Sequence, residues 1–114
     1  TAINSLFLVY CCTYAGLPTL LRFGPLSTRY KDIFDLCYLA DYVEQTRLYQ
    51  CMDTYIFRDP GMREIDMSDV INRVNRTFSN RLYRRNIERA GSANWIGIEI
   101  PAVFEKIKAF LNSL

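Results

Sequence analysis

The residues able to do chemistry are few in type. No histidine occurs among the 114 residues, which removes Ser/His/Asp and Cys/His arrangements, HExxH zinc sites and any histidine pH switch. The four cysteines, Cys11, Cys12, Cys37 and Cys51, contain no CxxC pair. Adjacent Cys11 and Cys12 point to different faces of a helix, so a tetrahedral zinc site is not expected. Their apolar, helix-like surroundings predict reduced thiols within a core rather than a two-disulfide framework, and an intracellular compartment with them. Carboxylates recur three apart as Asp32 with Asp35 and Asp66 with Asp69. That spacing shares a helix face, but nothing nearby supplies a partner for acid/base work, so they read as helix surface or N-terminal turn. The five glycines form neither GxGxxG nor GxxxxGK[ST], and no phosphate cradle is visible. Neither an enzyme nor a cofactor is expected.

The remaining chemistry is charge. Residues 28–57 carry three basic and five acidic groups, whereas residues 70–89 carry six arginines and only Glu88. The overall net charge of +2 therefore conceals a dipolar chain. Arginine suits bidentate contact with phosphate or carboxylate, which makes Arg81, Arg84, Arg85 and Arg89 candidates for a nucleic-acid backbone or an acidic protein partner. The plainer alternative is that Arg73, Arg76 and Arg84, opposite an apolar stripe, keep a helix in water. A total of +2 is too small for strong nonspecific DNA affinity.

These groups need elements to position them. With half its residues apolar, a chain of this length buries roughly 65% of its unfolded surface. The expectation is one mainly α (α+β) domain over residues 1–114, cut from a longer protein because it begins at Thr1. Residues 1–21 are uncharged but interrupted by Gly16 and Pro18, which predicts a buried helix over residues 2–14 rather than a membrane span. Gly16-Leu17-Pro18 ends that helix, residues 20–23 read as extended, and Gly24-Pro25 punctuates. Ser27 or Thr28 then caps an amphipathic helix bearing Tyr30, Ile33, Phe34, Cys37 and Ala40. Its apolar phase drifts over residues 41–47 before Leu48, Cys51, Met52, Tyr55 and Ile56 resume it, so one bent helix or two helices both fit. Asp59-Pro60-Gly61 is a turn.

Ser68 is the expected N-cap of the next helix, with Ile71, Val74, Phe78 and Leu82 as its stripe. A straight continuation would bury Arg81, Arg85 and Arg89, which predicts a break near Ser79-Asn80 and a second helix to Ala90, capped by Gly91. Residues 95–100 alternate through Ile96, Ile98 and Ile100 and read as a strand. Pro101 opens a last helix with Val103, Phe104, Ile107, Phe110 and Leu111 inward.

Helix, break, arginine-bearing helix, strand and helix is the order of a helix-turn-helix within a winged-helix-like domain. Ile3-Asn4-Ser5-Leu6-Phe7-Leu8-Val9-Tyr10, then Arg29-Tyr30-Lys31-Asp32-Ile33-Phe34-Asp35-Leu36-Cys37, resembles the start of the winged-helix domain following the ATPase module in the origin recognition complex large subunit family. Residues 98–111 are similar to that domain's close. The chain departs from the family in a longer stretch over residues 41–67 and in lacking a glycine-rich basic wing, as in a diverged paralogue turned to self-association in heterochromatin. The resemblance implies a nuclear, chromatin-associated protein with chromatin proteins as partners. The leading expectation is a non-catalytic protein–protein interaction domain that homodimerises, with Trp95, Ile96 and Ile98 as interface because an unpaired strand offers an edge and an apolar face. The alternative is DNA binding through residues 81–89.

Overall fold

The computed structural model describes residues 17–42 and 45–114. The helix expected over residues 2–14, with Cys11 and Cys12, lies outside the described residues. The first described helix, α1 (Leu17–Phe23), corrects the extended reading of residues 20–23. Leu17, Leu20 and Leu21 recur at three and four, and all are buried. Pro18 sits in the first helical turn, where its missing N–H removes no helical hydrogen bond, so it suits the opening of this helix.

A 3₁₀ turn, Gly24–Leu26, ends α1. Gly24 has φ +54°, and a Cβ there would lie 2.7 Å from a guanidinium nitrogen of Arg73. Ser27 closes that turn by donating its N–H to the Gly24 carbonyl. It is therefore taken up by the turn, and neither Ser27 nor Thr28 is the N-cap of α2 (Tyr30–Leu39). That place belongs to Arg29, whose side chain pairs with Asp32 at 2.8 Å. The α2 helix is buried on more than one face, because Leu36 and Leu39 join Ile33, Phe34 and Cys37 in the core.

The described residues of this stretch form two helical pieces, residues 30–39 and 45–57, rather than one bent helix. Ala40 caps α2, and α3 (Gln45–Met52) then continues through a wide π turn, Asp53–Phe57. Leu48, Met52 and Ile56 are its buried line, while Tyr55 is exposed. The Asp59-Pro60-Gly61 turn forms as expected, with the Asp59 carboxylate accepting from the Gly61 N–H at 2.7 Å.

The cap of α4 (Met67–Ser79) is Asp66 and not Ser68. Asp66 Oδ1 accepts from the Asp69 N–H at 2.9 Å, and Asp69 Oδ2 accepts from the Ile65 N–H at 3.2 Å. The two carboxylates satisfy two backbone donors at the positive end of the helix, which explains their spacing of three. The break falls where the stripe demanded it. Asn80 ends α4 and begins α5 (Arg81–Arg89), its side chain accepting from the Tyr83 N–H at 2.9 Å.

That break shifts the buried register to Tyr83 and Ile87, leaving Leu82 56% exposed rather than in the stripe. Ala90 caps α5, and Gly91 instead opens a short 3₁₀ turn, Gly91–Ala93. The strand expected at residues 95–100 does not form, and the described residues contain no strand. Asn94 folds the segment back on itself, accepting from the Gly97 N–H and donating to the Ile98 carbonyl, with Gly97 at φ +73°. Local turn chemistry here overrides the alternation of isoleucines. The last helix, α6 (Ile100–Asn112), has Pro101 in its first turn and buries the five residues expected.

The domain is thus mainly α, six α-helices among the described residues. α6 packs on α2 and α4. At the junction Phe78 and Phe104 stack at 4.2 Å with ring planes 10° apart, and Tyr83 lies 6.3 Å from each. The Tyr83 hydroxyl is fully buried with no hydrogen-bond partner. Tyr83→Phe is therefore expected to raise stability by about 1 kcal/mol. Burial, then the neighbouring Tyr30, raises the Tyr83 phenol above its ordinary 10.0. The unfolded chain ionises first above that pH, so the folded state holds the extra proton and stability falls as pH rises. The fall approaches 1.4 kcal/mol per pH unit for a single group. Urea midpoints between pH 9 and 11 should show part of this decline vanish in Tyr83→Phe.

Candidate functional site

With Tyr83 and Ile87 fixed inward by the Asn80 cap, helix geometry decides the rest of α5. Arg81, Arg85 and Arg89 advance by about 40° each at 100° per residue, forming one outward strip, with Arg84 on its flank. All four are exposed. None makes an ion pair or hydrogen bond through its side chain among the described residues, and Glu88 is the one carboxylate on their helix. Glu88 lies on the same face but pairs with none of them, so four cations and one carboxylate leave that face a net +3, a ready site for a polyanion.

The other arginines divide differently. Arg73 Nε donates to the Leu21 carbonyl at 3.1 Å, and Arg63 donates to the Arg22 carbonyl at 3.3 Å. Both guanidiniums satisfy carbonyls at the C-terminal end of α1, where helical partners run out. Arg73 is therefore a structural cap and not part of a solvated face.

The residues expected at a dimer interface separate. Trp95 is 51% exposed and Ile98 37%, but Ile96 is half-buried and packs on the core. No edge strand joins them. Trp95 is instead held from α2: its indole Nε1 donates to Asp35 Oδ1 at 2.7 Å, and Lys31 reaches the other oxygen at 3.3 Å. Its ring meets Tyr38 at 5.2 Å, and Tyr38 meets Tyr42 at 4.9 Å. Asp41 and Lys106 pair beside them. An exposed aromatic patch of Tyr38, Tyr42 and Trp95 results. The i, i+4 spacing of Tyr38 and Tyr42 off the apolar stripe was a usable sign of it, but nothing in the chain placed Trp95 beside them.

Asp35 is buried, so removing its carboxylate strands an indole donor. Asp35→Ala is expected to lower stability by about 2 kcal/mol, within the range for hydrogen bonds to charged groups. It should also red-shift the fluorescence of Trp95, the single tryptophan. An unshifted spectrum would mean that the Asp35 clamp does not hold the ring.

Asp32 is also buried, and Arg29 Nε lies 2.8 Å from its Oδ2 without the alignment of a hydrogen bond. Burial outweighs Arg29 and raises its pKa. As pH rises through the ordinary carboxylate range, the unfolded chain loses this proton first, so Asp32 takes stability away rather than adding it. Burial likewise raises the Cys37 thiol, the opposite of what a nucleophilic cysteine needs. Among the described residues there is no group of side chains suited to hold a metal, and no helix long and apolar enough to cross a membrane.

No protein-family model, curated protein or solved structure matches the chain.

Proposed function

We propose that this is a non-enzymatic interaction domain that lays α5 against the backbone of duplex DNA. The observation that carries the reading is the unpaired arginine face of Arg81, Arg84, Arg85 and Arg89, aimed outward by a helix pair with a one-residue joint. Arginine forks match phosphate oxygens, and each phosphate contact releases counterions, so binding should weaken steeply with salt. Titrating a fluorescent duplex at several salt concentrations tests it. A flat salt dependence, or equal binding after loss of the arginines, would sink the proposal. The nuclear, chromatin-associated setting implied by the family resemblance belongs to the same proposal.

Homodimerisation is a second reading, supported by the exposed patch of Tyr38, Tyr42 and Trp95. Aromatic side chains dominate interface energetics, and the charges around this patch are already paired within the chain. A patch so neutralised can meet its own copy across a two-fold axis without charge repulsion. Light scattering should give a mass near twice 13.3 kDa that persists on hundredfold dilution and falls to the monomer in Tyr42→Ala/Trp95→Ala. A wild-type monomer throughout would exclude it.

A further inference from the structure

A cleft of about 270 Å³ lies between the loop at residues 61–66 and α4, lined by Arg63, Glu64, Asp69, Asn72, Arg73 and Arg76. Half of this lining is already engaged. Arg63 and Arg73 donate to the carbonyls that end α1, and Asp69 accepts from the Ile65 N–H. Two charged groups of opposite sign are left over. Glu64 is only 6% exposed, yet among the described residues its carboxylate has neither a hydrogen bond nor an ion pair. Its oxygens are not sealed in the core but open onto the cleft. Arg76 lines the same cleft, and its guanidinium has no partner among the described residues.

A largely buried carboxylate that faces a cleft without protein donors is free to take them from a ligand. The other two guanidiniums of the lining, Arg63 and Arg73, donate to α1 carbonyls and form no ion pair with Glu64. A ligand bringing an ammonium to Glu64 and a carboxylate to Arg76 would satisfy both groups, with the Asn72 amide available to either end. The volume falls below the roughly 300–1,000 Å³ of pockets for drug-sized molecules, so the occupant is small. We infer that this cleft is a binding site for a small zwitterion of the free amino-acid type, in which Glu64 receives the ammonium and Arg76 the carboxylate. The site is independent of the DNA proposal, since it uses none of the α5 arginines.

The test is a titration of the 114-residue chain followed by ¹H–¹⁵N spectra, with glycine as probe and methylamine and acetate as single-charge arms. Glycine should shift amides in residues 63–76 saturably, and each single-charge probe should bind at least about tenfold more weakly. Glu64→Gln should weaken glycine binding about tenfold or more, and Arg76→Ala, a change at an exposed side chain, should do the same with the fold intact. The inference is overturned if glycine produces no saturable shift, if acetate binds as tightly as glycine, or if Arg76→Ala binds glycine unchanged.

Discussion

Phe104→Ala is expected to lower the stability of the domain by about 3–5 kcal/mol, a larger effect than Asp35→Ala or Tyr83→Phe should have. Phe104 is 3% exposed and lies face to face with Phe78 at 4.2 Å, while Tyr83 leans on both rings. Truncation opens a cavity that three helices border. The rings come from α4, α5 and α6, so the structure cannot collapse into the gap without moving α5. A domain of this size has roughly 5–15 kcal/mol in total, and the variant should therefore sit near the edge of folding at 37 °C. Urea unfolding followed by Trp95 fluorescence and far-UV circular dichroism measures the loss. Phe104→Leu, which keeps much of the volume, should lose distinctly less. A loss below about 1 kcal/mol in Phe104→Ala would show that the ring cluster is not what joins these helices.

The second large effect concerns binding. Replacing Arg81, Arg84, Arg85 and Arg89 together by alanine should reduce the slope of log affinity against log salt by about 3.6, and Arg84→Ala/Arg85→Ala by about 2, at 0.9 per phosphate contact. A slope of 3.6 corresponds to roughly 150-fold in affinity between 50 and 200 mM salt. The quadruple variant should lose that dependence while keeping its fold, because all four side chains are exposed and unpaired. Lysine replacements should retain most of the slope, which counts charges, while losing the bidentate geometry. Retained affinity in the alanine variants would mean that the arginine face only keeps α5 in water.

Much of the helical frame was legible from periodicity. The clash between the apolar stripe and Arg81, Arg85 and Arg89 was enough to locate the break at Asn80, because a buried arginine is a larger penalty than a broken helix. The last helix was readable for a similar reason, with Pro101 and a five-residue apolar face in agreement. Errors gathered where one backbone donor had two possible acceptors. Ser68 lost the cap to Asp66, and Ser27 was used by the preceding turn. The strand at residues 95–100 failed because alternation alone does not supply a neighbouring strand, whereas Asn94 and Gly97 supplied a turn within the segment itself.

Of the candidate sites, the arginine face followed from helical spacing once Tyr83 and Ile87 were inward. The aromatic patch and the Glu64 cleft did not. Both depend on contacts across dozens of residues, Trp95 with Asp35 and Arg73 with Leu21. Local patterns carry no record of such meetings. The same limit hid the role of Arg73, which looks like surface charge until its carbonyl partner is known.

The joint at Asn80 has no slack. One residue serves as the end of α4 and the start of α5, and its side chain sets the register of Tyr83. An amino acid inserted between Tyr83 and Ile87 would turn everything beyond it by about 100°, swinging Ile87 out of the core. Evolution can therefore change letters in this stretch far more freely than it can change its length. Among descendants of this sequence, gaps should collect in the loops at residues 58–66 and 91–99, and the count of residues from Phe78 to Ile87 should stay constant even where most of the residues themselves have been replaced.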